Sequence, residues 1–169
     1  IQEGTSLVYP FSAMGCHVSA VPNHQCNRIT PYMTRFNAAM PGQFGYELDL
    51  GILSDEEKEM TKLQVKEYTE NADFLHNADF YRLISAYDST LAAWEFVSED
   101  KDKAMLFAYM TLVKANDVPV YVKLKNLNGS ALYKCSDGNV YSGDVLMNVG
   151  YKVFIKTDFE SERVTFTQI

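Results

Sequence analysis

From residue 78 onward, apolar and polar side chains alternate with a period of two, and spans 80–84, 93–97, 104–112, 119–124, 151–156 and 163–168 each predict a β-strand. Turn signals separate them at Asp88-Ser89, Glu99-Asp100-Lys101-Asp102, Asn128-Gly129 and Asp137-Gly138. Span 104–112 is apolar on both faces and predicts an interior strand, whereas Lys152 and Lys156 alternate outward in 151–156. Short strands at this spacing predict an antiparallel β-sandwich over residues 78–169.

Before residue 78 the period is helical. Ser54-Asp55-Glu56-Glu57 is a capping box with an acidic first turn, and it predicts a helix to about His76 with Met60, Leu63, Tyr68, Ala72 and Leu75 on its apolar stripe. A second helix is predicted from Thr30 as N-cap, with Pro31 in the first turn, to about Met40, ended by Pro41-Gly42. The apolar run Ser6-Leu7-Val8-Tyr9, stopped by Pro10, predicts a strand buried on both sides, and His17-Val18-Ser19 a further short strand.

Charge changes the picture of this first part. Residues 1–50 hold only Glu3, Arg28, Arg35, Glu47 and Asp49 as charged side chains, together with Pro10, Pro22, Pro31 and Pro41. They read as a buried, loop-rich segment of the kind that rims an active site within a larger body. One strand, loops and two helices cannot bury their own faces, so residues 1–77 call for further polypeptide upstream. A first residue Ile1, not Met, agrees with a processed chain or a piece of a longer one.

The 169 residues (19.2 kDa), 47% hydrophobic and 22% charged, fit one ordinary domain or two small ones and argue against disorder. A net charge of -7 offers phosphates no basic surface, so no nucleic-acid partner is expected. No apolar run reaches the roughly 20 residues needed to cross a bilayer, so no membrane partner is expected, and the opening IQEGTSLVYP lacks the pattern of a signal peptide. Cys16, Cys26 and Cys135, an odd number, favour reduced thiols and a cytoplasmic location.

Chemistry read from the residues alone names no mechanism. Cys16-His17 and His24-x-Cys26 have zinc-binding types at the wrong spacing, so no metal and no other cofactor is expected. Cys16 and Cys26 are better read as small packing residues. Most acidic pairs are explained by caps and turns; Glu47 and Asp49 share the spacing of one strand face, where surface or structural pairing outweighs a catalytic role. Trp94 on a strand beside Phe96 is better read as core than as a sugar-stacking platform. Asn128-Gly129-Ser130 matches a glycosylation acceptor but reads better as a tight hairpin turn.

The stretch from Gly15 to Gln25, GCHVSAVPNHQ, changes this. With Tyr9-Pro10, Ser12-Ala13-Met14, Arg28, Thr30-Pro31, Arg35 and Phe44-Gly45-Tyr46-Glu47-Leu48-Asp49, it resembles the last part of the catalytic barrel of family-36 glycoside hydrolases, the microbial-type α-galactosidases. The similarity continues through LSDEE at 53–57, DFYRL at 79–83, AAWEFVS at 92–98 and YSGDVLMNVG at 141–150, almost the whole chain. It departs locally at Cys16, Cys26, Asn27, Phe36 and Pro41.

The resemblance implies an α+β fragment: residues 1–77 would be the last strand and helices of a (β/α)8 barrel, and 78–169 the family's C-terminal antiparallel β-sandwich. It implies a parent enzyme that hydrolyses terminal α-galactosyl residues of oligosaccharides by a retaining double displacement and associates as a homo-oligomer. Both catalytic aspartates of such enzymes belong to motifs absent here, so no catalytic residue is carried over and the fragment alone should be inactive. Met14, Gly15, His17, Asn23, His24 and Arg28 are the candidate substrate-binding or loop-shaping positions. Two alternatives stand beside this reading: a non-catalytic carbohydrate-binding or interaction module, and part of a raffinose-synthase-like galactosyltransferase.

Overall fold

A computed structural model describes all residues, 1–169, and divides them into two compact units, Ile1–Asn77 and Ala78–Ile169. Unit one runs α1 (Gln2–Thr5), a 3-10 turn (Phe11–Ala13), β1 (Gly15–Ser19), α2 (Tyr32–Ala39), β2 (Gln43–Glu47), a second 3-10 turn (Leu50–Ile52) and α3 (Asp55–Asn77). β1 and β2 pair in parallel, Gly15 opposite Gln43 through Ser19 opposite Glu47, so β1-α2-β2 is a βαβ unit with α2 as its crossover.

The capping box forms. Ser54 Oγ accepts from Glu57 N (3.2 Å) while Glu57 Oε2 accepts from Ser54 N (3.0 Å), and α3 extends one residue beyond the predicted end. Its inward stripe differs from prediction at one place: Leu63 is exposed and Gln64 is buried. Gln64 Oε1 accepts from the Tyr46 hydroxyl of β2 (2.8 Å), and Thr61 Oγ1 shares a hydrogen bond with Tyr32 of α2 (2.7 Å), so hydroxyl and amide groups dock this helix. Phe44 completes the seam, 5.3 Å from Phe36 and 4.9 Å from Tyr68, ring centre to ring centre.

Three local expectations in this unit are corrected. Ser6–Tyr9 is no buried strand: its amides close helical turns onto carbonyls of residues 2–5, and Leu7, Val8 and Tyr9 are exposed. A four-residue apolar run does not choose its own conformation, and here the turn continues α1. The N-cap of α2 is Pro31, not Thr30, and no side chain caps it. The first fifty residues are less buried than their low charge implies, because Ile1, Ile29, Met33 and Leu50 are exposed as well.

Unit two carries β3 (Asp79–Ile84), β4 (Leu91–Val97), β5 (Lys103–Met110), β6 (Val120–Val122), β7 (Leu132–Cys135), β8 (Val140–Ser142), α4 (Gly143–Asn148), β9 (Tyr151–Val153) and β10 (Ser161–Gln168). Its main sheet is six-stranded and antiparallel, in the order β3-β4-β5-β10-β7-β8, and β6 pairs with β9 in a separate two-stranded sheet. The chain is thus a mixed α and β structure with antiparallel sheets, and β5 is interior as its two-sided apolar pattern requires.

Four of the six predicted strands keep close to their spans, and the other two, 119–124 and 151–156, shorten to three residues each. The hairpin β7-β8 and helix α4 were not foreseen. Asp137-Gly138 forms that hairpin's turn with Gly138 at φ +91°, whereas Asn128-Gly129 lies in a turn ahead of β7 and joins no two paired strands. One face of the main sheet packs Leu91, Ala93, Leu106, Val164 and Phe166 against Val122, Leu146, Tyr151 and Val153 from the small sheet and α4. α4 ends on Gly150 at φ +105°, where a Cβ would meet the carbonyl carbon of Val122 at 2.8 Å.

Candidate functional site

The parallel pair has two faces. Cys16 and Val18 of β1 are buried, and the alternate positions Gly15 and His17 are exposed, with Ser19 half-buried at the strand's end. Across the register, Gln43, Gly45 and Glu47 share that outward face. The His17 ring lies over two glycines: a Cβ at Gly45 would stand 3.1 Å from its Cδ2, and one at Gly15 3.5 Å from its Cε1. At the C-terminal ends of the strands, Ser19 Oγ donates to Glu47 Oε2 over 3.5 Å.

The loop that leaves this end, residues 20–31, is closed by its own hydrogen bonds. Asn23 N donates to Arg28 O (2.9 Å) and Asn27 N to Asn23 O (2.8 Å), with Asn27 at φ 58°. Asn23 Oδ1 accepts from the amides of Gln25 (3.0 Å) and Cys26 (3.2 Å) and from Cys26 Sγ (3.3 Å). His24 and Gln25 stand exposed at the tip, and Arg28 Nε donates to Thr30 Oγ1 (3.2 Å).

The six candidate residues therefore fall into separate groups. Asn23, His24 and Arg28 share one loop beyond the C-terminal end of β1, and His17 lies midway along the strand. Met14 and Gly15 belong to the other end, about 13 Å away by strand rise. Met14 is buried, its carbonyl accepts from Gln43 N (2.7 Å), and with Gly15 it lines a cleft of about 280 Å³ shared with Gln2, Thr5, Tyr9 and Cys16.

Glu47 and Asp49 do not form a pair on one strand face. β2 ends at Glu47, and Asp49 Oδ1 accepts from Gly51 N (2.8 Å) as the cap of the 3-10 turn. No three His, Cys, Asp or Glu side chains converge into a metal-binding group, and Cys16, Cys26 and Cys135 are all free thiols. What this end of the unit offers a ligand is amide, imidazole, hydroxyl, guanidinium and carboxylate groups, which can both donate and accept hydrogen bonds.

A residue absent from the sequence-derived candidates organises the loop. Arg35, the fourth residue of α2, donates from Nη1 to Ser19 O (2.6 Å) and from Nε to Thr30 O (3.1 Å). Burial lowers its pKa, opposed by the charges of Tyr32 and Glu57. The sequence offered only its place among the residues that carry the family resemblance, with no sign of this role.

In unit two the notable polar side chain is Glu95 of β4, fully buried on the apolar face. Its Oε2 accepts from Lys125 N (2.8 Å) and its Oε1 has no partner. Burial pushes its carboxyl up to about 8, against the opposing amide and charge of Lys125. Trp94 is only 5% exposed and packs on Tyr109 and Phe80, so it is no open platform.

Comparison with known proteins places both units. A sequence profile of the Melibiase family matches residues 1–77, and one of the glycosyl hydrolase family 36 C-terminal domain matches residues 91–166. The chain belongs to glycoside hydrolase family 36. It is 45% identical over 162 residues to the α-galactosidase AgaA of Geobacillus stearothermophilus, covering 95% of this chain and 22% of that protein. It is 42% identical over 171 residues to the bifunctional α-galactosidase/sucrose kinase AgaSK of Mediterraneibacter gnavus, covering 100% of this chain and 18% of that one. The chain thus spans about a fifth of the length of these relatives.

Solved family-36 structures superpose closely. A variant of Geobacillus stearothermophilus AgaA in complex with raffinose matches with a TM-score of 0.96 at 42% identity, over 99% of this chain and 24% of that one. A second variant, in complex with stachyose, matches with a TM-score of 0.96 at 43% identity, over 100% of this chain and 24% of that one.

Proposed function

We propose that this chain is the C-terminal part of an α-galactosidase that removes terminal α-galactosyl residues from oligosaccharides of the raffinose type by a retaining double displacement. The observation that carries the reading is the 45% identity to an α-galactosidase over 95% of the chain. In such a reaction one carboxylate attacks the anomeric carbon while a second protonates the departing oxygen, and water then releases the sugar; the two carboxyls stand about 5 Å apart. Glu47 beside Ser19 and Asp49 in its cap provide no such pair, so both catalytic aspartates are assigned to polypeptide outside this sequence.

Residues 1–77 are read as the closing part of a (β/α)8 barrel and 78–169 as its C-terminal β-sandwich. The βαβ unit followed by α3 supports the first: a two-stranded parallel sheet needs further strands at its edges and cover on both faces. Exposed Leu7, Val8, Ile29 and Met33 are apolar surface of the kind such partners cover. Barrel active sites lie at the C-terminal ends of the strands, which favours Asn23, His24 and Arg28 as pocket rim and leaves Met14 and Gly15 as shaping positions at the opposite end. His17 is read as facing the barrel interior. A homo-oligomeric parent and a cytoplasmic location, the latter supported by three unpaired thiols, complete the proposal.

The test is hydrolysis of an aryl α-galactoside and of raffinose by the full-length protein and by the 169-residue chain, side by side. Turnover by the full-length protein alone is expected. Turnover by the short chain, or none by the full-length protein, overturns the reading. A free-standing sugar-binding module is disfavoured by the burial of Trp94 and Phe96.

A further inference from the structure

Arg35 stands near the start of α2, and its contacts show what it does there. α2 has no side-chain cap, and Arg35 is its fourth residue, with its own amide bonded to Pro31 O (3.1 Å). The guanidinium forms no ion pair; both acceptors it reaches are backbone carbonyls, and it lies 4.8 Å from the centre of the Tyr32 ring. Tyr32 is in turn held by Thr61 of α3, so the platform under the guanidinium is itself fixed.

The two carbonyls lie eleven positions apart in sequence. Ser19 is the last residue of β1, and Thr30 stands just before Pro31 and α2, so one planar side chain joins the two ends of the loop that carries Asn23, His24 and Arg28. Within the loop, the Asn23 side chain and the Asn23–Arg28 backbone bond fix the distal turn. The base is therefore set by Arg35 and the tip by Asn23. A guanidinium can serve two acceptors at once in a rigid plane; an ammonium is a point donor on a flexible stem.

We propose that Arg35 is a positioning residue for substrate binding: by clamping Ser19 O and Thr30 O it holds the 20–31 loop, with His24 and Arg28, ready for the hydroxyls of an α-galactoside oligosaccharide. The proposal rests on the functional reading above. Because the reacting carboxylates are assigned to other parts of the protein, a loosened loop costs binding of ground state and transition state alike, which appears in KM and spares kcat.

The experiment compares the full-length protein with its Arg35→Lys and Arg35→Met variants. Raffinose kinetics are measured beside thermal melting and amide hydrogen exchange of residues 20–31. Both variants are expected to raise KM about tenfold, equivalent to about 1.4 kcal/mol, with kcat within about twofold of wild type. Exchange in 20–31 is expected to quicken in both. A wild-type KM in Arg35→Lys shows that the fork is not needed and overturns the proposal, as does an unchanged KM in Arg35→Met accompanied only by a lower melting temperature. If the wild-type protein turns over no α-galactoside, the functional reading fails on its own, and exchange in 20–31 still reports whether the clamp exists.

Discussion

Replacing Glu95 with Gln should flatten the fall of stability with rising pH. Glu95 lies on the face of β4 that buries Leu91, Ala93 and Val97, opposite Tyr81 of β3 and Leu106 of β5, with Tyr133 of β7 and Lys125 nearby. In the folded chain burial lifts its carboxyl from 4.5 to about 8. The folded state therefore binds a proton that the unfolded chain has released, so its stability is greatest below about 4.5 and declines as pH climbs towards 8. The decline is about 1.4 kcal/mol per pH unit, roughly 3 kcal/mol by pH 7 and roughly 5 kcal/mol over the window at most. Glutamine keeps an acceptor for Lys125 N and cannot ionise, although it too leaves one polar atom unpaired, at about 1–3 kcal/mol.

Urea unfolding of wild type and Glu95→Gln between pH 5 and 8 measures this. The signal is the fluorescence of Trp94, the chain's single tryptophan and the neighbour of Glu95 in β4. Other carboxylates contribute to both proteins, so the difference between the two stability curves isolates position 95. That difference should grow by about 1.4 kcal/mol per pH unit. Parallel curves would refute the reasoning and place an ionised carboxylate inside the sheet.

Two further outcomes follow from local geometry. Ser54→Ala removes the acceptor of the Glu57 amide and should cost about 1 kcal/mol, seen as faster hydrogen exchange at Glu57 before the rest of α3; equal protection would remove the cap from the account. Iodoacetamide should label the native chain once, at exposed Cys26, and the unfolded chain three times. Cys16 and Cys135 are 3% and 2% exposed, and burial raises both thiols, Cys135 to about 12; native labelling of either at the rate of Cys26 would contradict that packing.

Legibility followed the range of the forces involved. The capping box at Ser54 and Glu57 was readable because both partners lie within one turn, and strands β3, β4, β5 and β10 because each is a short run of apolar and β-forming residues, on one face or on both, bounded by turn signals. Ser6–Tyr9 was misread because a short apolar run carries no period, and its exposure depends on what surrounds it. Glu95 could have been found: it is in phase with Leu91, Ala93 and Val97, the face that the pattern assigns to the core. Arg35 could not, since its meaning lies in two carbonyls that only the fold brings within 3.1 Å of it.

The sequence by itself determined the family, the types of most elements and the acidic start of α3, because these rest on residue patterns a few positions long. Only the tertiary structure decided that β1 and β2 run parallel, that Met14 and Asn23 lie at opposite ends of one strand, and that Gln64 and Glu95 are interior. Pairing, burial and the closure of a loop are relations between distant segments, and their free energies exist only once the chain has brought those segments together.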